Sequence, residues 1–297
     1  MIPNCNDGSR RPPRLRFDLN VGSISNLPAN SSFPVFINPH DDLSSYRYLR
    51  ASGIEGLNWG NPELCSQTNL CWTGGGRFDH PAEVDGKIAE LKSAGYDCGT
   101  FHVGTGFESD AELDAYAKAI IDAAQDHSFP VFVETHRATA TQDIYRTVKW
   151  VERNPELRFN GDFSHYYTGH EMIYGDFEEK LAFLAPVLER TRFIHGRIGN
   201  SCCMQVEVID LEAPNVGHFR ELWTRSFEGF LKAAHPGDYF CFAPELLAPS
   251  INYARTFRHA DGVLREECDR WQQTLLYWQI ASECWTEAER RHKGITK

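Results

Sequence analysis

Leu157-Arg158-Phe159-Asn160-Gly161-Asp162-Phe163-Ser164-His165 starts as an apolar run of strand length and ends in a carboxylate, with an imidazole three positions further on. A charge at the end of a buried strand carries a desolvation cost that only a partner offsets. Three other runs end the same way: Pro130-Val131-Phe132-Val133-Glu134, Arg192-Phe193-Ile194-His195 and Tyr239-Phe240-Cys241-Phe242-Ala243-Pro244-Glu245. Glu134, Asp162, His195 and Glu245 are all side chains of the kind that hold divalent metal ions. A closed parallel barrel gathers the C-terminal ends of its strands on one face, where the four can meet. Any one acidic residue after a strand is ordinarily a helix cap or a solvated loop residue. Repetition at four strand ends is what separates these.

Outward from those runs, strands and helices alternate. Arg14 to Val21 alternates as a strand, as do Gly53 to Trp59 and Cys98 to Val103. Phe33 to Ile37 is the candidate for an eighth. Helices are predicted at Asp42 to Ser52, Pro81 to Ala94, Ser109 to Ala124, Thr141 to Arg153, Phe177 to Glu189, His218 to Ala234 and Asp261 to Ala288. Ser109 with Glu112 forms a capping-box pattern. Gly60 to His80, with its Gly74-Gly75-Gly76 run, reads as a long loop and a candidate lid. Residues 199–217 form a second long connection. The order predicts an α/β fold, a single (β/α)8 TIM barrel over 14–297, with a flexible N-terminal arm at 1–13 and a long C-terminal helix. A doubly wound sheet is the rival, but Val21-Gly22-Ser23-Ile24-Ser25 is no dinucleotide-binding turn. If Trp271, Trp278 and Trp285 form an exposed stripe on the last helix, a homo-oligomer follows.

A formal net charge of −11 opposes contact with nucleic acid and fits a small-molecule, sugar-like substrate. No apolar run approaches the ~20 residues of a membrane span. The polar, Pro- and Arg-rich start lacks the apolar core of a signal peptide, so a cytoplasmic address is expected. The nine cysteines, odd in number and without a C-x-x-C pair, are expected to be reduced thiols.

Three carboxylates and one imidazole make a hard, oxygen-rich ligand set suited to Mn²⁺, Mg²⁺ or Co²⁺, with Zn²⁺ also accommodated. A hydroxy-carbonyl substrate chelated there is acidified at the adjacent carbon, and a metal-bound enediolate is the expected intermediate. Glu134 and Glu245 can pass the proton, and His165 can donate to the developing oxyanion. His102, His136, Arg137 and Arg197 are candidate substrate-binding groups.

At Val133-Glu134-Thr135-His136-Arg137, Asp162-Phe163-Ser164-His165, His195-Gly196-Arg197-Ile198-Gly199 and Pro244-Glu245-Leu246-Leu247 the chain resembles the xylose-isomerase-like barrel superfamily. That superfamily includes sugar-phosphate isomerases, ketose 3-epimerases, inosose dehydratases and the endonuclease IV group. The resemblance implies one divalent ion held by Glu134, Asp162, His195 and Glu245, proton exchange by the two glutamates, and substrate contact by His165. Two features depart from it. The epimerases carry a substrate-binding Arg several residues after the metal His, where this chain has Arg197 only two after it and Ser201 at the later position. Asp210-Leu211-Glu212 lacks the His that the endonuclease group uses for further metals. The expected function is a metal-dependent sugar isomerase or epimerase. The alternative is a lyase or hydrolase of dehydratase or deglycosidase type using the same site, and a non-catalytic barrel is disfavoured by the intact quartet.

Overall fold

The computed structural model describes residues 2–28, 30–34 and 42–294. In chain order the first elements are β1 (Cys5–Asn6), β2 (Arg14–Asn20), α1 (Leu43–Ala51), β3 (Gly56–Asn58), α2 (Pro62–Thr68) and β4 (Cys71–Phe78). They are followed by α3 (Val84–Ser93), β5 (Gly99–Val103), α4 (Asp110–Asp126), β6 (Val131–Glu134), α5 (Ile144–Arg153), β7 (Phe159–Asn160) and α6 (Ser164–Gly169). Then come α7 (Phe177–Leu188), β8 (Thr191–Gly196), α8 (Pro214–Leu231), β9 (Asp238–Pro244), the hairpin β10 (Thr256–Arg258) and β11 (Leu264–Glu266), and α9 (Arg270–His292).

Strands β2 to β9 are all parallel, each pairing with the next, and β9 closes back onto β2 from Arg14↔Tyr239 to Phe17↔Phe242. This is a closed eight-stranded barrel with helices outside. Each helix presents one apolar stripe to it. On α5 the buried positions Ile144, Thr147, Val148 and Val151 recur at helical spacing. Its Trp150 buries an indole whose N–H donates to the carbonyl of Leu113 at 2.9 Å, so no polar group is stranded. The capping box at Ser109 and Glu112 is formed as the sequence predicts.

Four expectations are corrected. Gly60 to His80 is not a loop: Asn61 caps α2, whose first residue is Pro62, and Cys71–Phe78 is the missing eighth strand. Three glycines in a row read as a turn, yet at Gly75 a Cβ would collide with the carbonyl oxygen of Thr100 on the neighbouring strand, and the Tyr96 ring occupies the space above Gly74. The lid falls with the loop. Of the alternative eighth strand, 35–37 lie outside the described residues, while Phe33 packs edge-on to Trp271 and Tyr48.

Second, the last helix begins nine residues later than expected, at Arg270 under an Asp269 cap, because the segment before it folds as a hairpin turning at Asp261 and Gly262. Third, a short helix, α6, directly follows the Asp162 turn. Fourth, the N-terminal segment is fastened rather than loose. Ile2 and Cys5 are buried, β1 pairs antiparallel with the start of β9, and Asn4 and Asn6 both donate to Asp238, at 2.8 and 2.7 Å. On α9 the tryptophans face the barrel. Trp271 and Trp285 are buried, and Trp278 stacks on Phe17 at 4.3 Å.

Candidate active site

Strand ends β6 to β9 bring Glu134, Asp162, His195 and Glu245 together, each offering a ligand atom within 4.8 Å of the others. Parallel register is the reason: Glu134 pairs with Asn160, and His195 with Ala243, so the charged ends finish in one layer. Nδ1 of His195 points into the cluster, 3.4 Å from Glu134 Oε1 and 3.7 Å from Glu245 Oε2. Its Nε2 faces the other way, 3.1 Å from Asn58 Oδ1. The Asn58 amide nitrogen already donates to Thr73, so Oδ1 is the acceptor and Nε2–H the donor. Asn20 donates to Glu245 Oε1 at 2.7 Å, and Asn160 to Glu134 Oε2 at 3.3 Å.

Arg197 is buried and joins the cluster directly. One of its nitrogens, Nη2, donates to Asp162 Oδ2 at 2.9 Å and also to Glu245 Oε2. Its guanidinium lies over the Tyr253 ring at 4.3 Å. Burial opposes ionisation of Asp162, but the Arg197 charge and the nearby His165 hold its carboxyl well below the usual range. Glu134 is likewise held low against burial by His195 and His102. Against the cost of burial, the charges of Glu245 and Glu134 push His195 up to about 9.

A cleft of about 380 Å³ opens above the cluster, lined by Glu134, His195 and Glu245 with His102, His136, Trp59, Arg77 and Tyr253. A slightly larger one, about 440 Å³, lies on the outside between α5 and α7, lined by none of the four clustered side chains. His102 Nε2 stands 3.3 Å from Glu134 Oε1. His102, His136 and His165 lie in a row of tilted rings with centroids 4.2 and 3.9 Å apart. Burial and the neighbouring His165 and His102 push His136 down to about 3, so it is neutral. Its Nδ1–H donates to the Arg137 carbonyl at 2.6 Å, leaving Nε2 as an acceptor near Tyr253.

Of the expected substrate-binding groups, His102 and His136 therefore line the cleft. Arg137 is exposed at its edge, 5.5 Å from the Tyr253 ring centre, and Arg197 is turned down onto the carboxylates. His165 lies behind His136, with Nε2 3.3 Å from Asp162 Oδ2 and Nδ1 buried without a hydrogen-bond partner. Asn20, Asn58 and Asn160 were not singled out from the sequence. Each sits at the last position of its strand, the same signal that marks the charged ligands, but an amide there raises no comparable desolvation alarm.

The residues fit a divalent cation. The donors are hard, and His195 turns one nitrogen to them while Asn58 fixes the other. Three carboxylates set against one guanidinium leave two negative charges, which a single dication balances with His195 neutral.

A solved structure shares this architecture. A xylose isomerase-like TIM barrel protein from Mycobacterium smegmatis, in complex with magnesium, matches over 91% of this chain and 97% of its own at TM-score 0.51 and 10% identity. The fold is a (β/α)8 TIM barrel. The probable 3-DHS dehydratase AsbF from Bacillus anthracis matches over 78% of this chain and 92% of its own, at TM-score 0.48 and 14% identity. Neither a family model nor a curated protein matches the chain. At such identities the likeness speaks for the fold and not for the reaction.

Proposed function

We propose that the protein is a divalent-metal-dependent enzyme that moves a proton on a hydroxy-carbonyl compound of sugar or polyol type, an isomerase or epimerase. The convergence of Glu134, Asp162, His195 and Glu245 beneath an open cleft carries this reading. A bound dication, Mn²⁺ being the first to test, supplies electrophilic stabilisation to negative charge developing on substrate oxygens.

The chain's own groups do the rest. Glu134 borders the cleft as an ionised carboxylate and is placed to take a proton from a substrate carbon. Burial pushes His102 down, but its hydrogen bond to Glu134 and that carboxylate's charge win and raise it, which suits it to act as the adjacent donor. Neutral His136 accepts from a substrate hydroxyl, and Trp59 and Tyr253 wall the cleft against water. The two glutamates are not equivalent. Both are bonded on both oxygens, but Glu245 carries the buried guanidinium of Arg197, whereas Glu134 meets only Asn160 and two imidazoles.

That asymmetry favours, as a second reading, chemistry with a single base, such as β-elimination of water from a keto-sugar. A panel of ketoses, aldoses and polyol-derived ketones in deuterated water, with Mn²⁺, Mg²⁺ or Co²⁺, tests both. Solvent deuterium at an inverted or newly formed carbon centre is the expected result. Loss of water from the substrate would support the second reading instead, and no turnover of any member with any ion would count against both.

A further inference from the structure

At the opposite end of the barrel from the cleft, Cys5, Cys98 and Cys241 bring their sulfur atoms within 4.8 Å of one another. None takes part in the chemistry proposed above. Cys241 lies four positions before Glu245, roughly 13 Å along an extended strand, so the two clusters are separate. The side chains come from three distant parts of the chain: β1, the residue preceding β5, and β9. All three are buried, packed with Phe132 and Phe193 inside the barrel floor. An ideal trigonal site with metal–sulfur bonds of ~2.3 Å sets its sulfurs about 4 Å apart, inside the 4.8 Å that bounds their separation here.

The geometry points to a second, soft-metal site: a trigonal thiolate pocket for a thiophilic cation, monovalent copper or a group 12 dication, that bolts the N-terminal segment to the barrel floor. Thiolates select such ions, whereas the carboxylate-rich mouth selects hard ones. Arg16, paired with Cys241 across β2 and β9, is buried beside this floor with Asp18 and Asp97 as its hydrogen-bond partners. On binding, the S–H bonds break, three S–metal bonds form, and the protons leave to solvent without any change of oxidation state.

A bound ion would tie position 5 to positions 98 and 241, adding a cross-link to the hydrogen bonds that already fasten this segment.

The test uses the full chain, reduced and under anaerobic conditions. One equivalent of buffered Cu(I) should bind with a shell of three sulfur neighbours in X-ray absorption of the wild type. Titration with Cd²⁺ should raise an ultraviolet thiolate-to-metal charge-transfer band to one equivalent, a signature the mouth ligands cannot give. Cys5→Ser, checked for folding by circular dichroism, should lose the band, and Cys202→Ser should keep it. A nitrogen and oxygen shell around copper in the wild type would overturn the site whatever the variants do. So would a band that survives Cys5→Ser or never appears.

Discussion

Nε2 of His195 lies 3.1 Å from Oδ1 of Asn58, and this contact decides which nitrogen the imidazole turns toward Glu134, Asp162 and Glu245. Removing it frees the ring to rotate and unpairs a buried N–H. Asn58→Ala is expected to weaken divalent-ion affinity by about 10- to 100-fold, the usual effect of losing such an outer partner. Competition against a fluorescent chelator measures it, and unchanged affinity would show that Asn58 does not orient the ligand.

Arg197 binds two of the proposed ligands, so its loss removes the guanidinium that these buried carboxylates share. Arg197→Met should cost about 3–5 kcal/mol in chelator, by analogy with broken buried pairs. Saturating Mn²⁺ should restore a good part of that, because the dication replaces the missing charge. Urea unfolding with and without metal gives both numbers. A cost that metal leaves untouched would place Arg197 outside the electrostatics of the site.

The inequality of the two glutamates predicts unequal phenotypes. Glu134→Gln should lower turnover by at least ~100-fold, the scale of a lost general base, while a dication is still retained. Glu245→Gln should also abolish turnover, yet weaken metal retention more, since Gln presents an amide where Arg197 and Asn20 now anchor an oxygen. Solvent-deuterium exchange and metal content, read on the same samples, separate the roles. Full exchange in Glu134→Gln would move the base elsewhere.

Asp269 caps α9 and accepts from the Ser31 hydroxyl at 2.9 Å and the Ser32 backbone N–H at 2.6 Å. Partial burial pushes its carboxyl up, but these bonds win, and its folded pKa lies below the usual value. A depressed carboxylate stabilises the fold above its unfolded pKa of about 3.9 and loses that contribution as pH falls through the folded value. Asp269→Asn keeps a capping oxygen and should flatten this part of the acid limb. Asp269→Ala should cost about 1 kcal/mol near neutral pH. Thermal melts from neutral pH down through the folded titration would show a parallel acid limb in the Asn variant if the assignment is wrong.

Gly75 stands where a side chain would strike the Thr100 carbonyl. Gly75→Ala should therefore destabilise the barrel by about 1–3 kcal/mol, the range for overpacking a core. Were 71–78 a solvent-exposed loop, the substitution would be neutral and its amides would exchange freely with deuterated water.

Glu134, Asp162, His195 and Glu245 were legible before any coordinates because each ends an apolar run, and both strand periodicity and desolvation cost are properties of a few adjacent residues. The capping boundary at Ser109 was legible for the same local reason. The β4 strand was not, since Gly74-Gly75-Gly76 carries turn propensity and its strand state depends on Thr100 and Tyr96 packing against it. Nor was the fastening of the first residues, which depends on Asp238 far along the chain.

The amino-acid order alone thus marks which side chains gather at the barrel mouth, and their oxygen-rich chemistry is of the kind that suits a hard cation. Which charge neutralises which is a matter of long-range assembly: Arg197 meets Asp162 across 35 positions, and Asn20 meets Glu245 across 225. No local pattern encodes those distances. They follow from closing the sheet, which brings β9 beside β2 and turns an arginine expected to hold substrate into the counter-charge of the site.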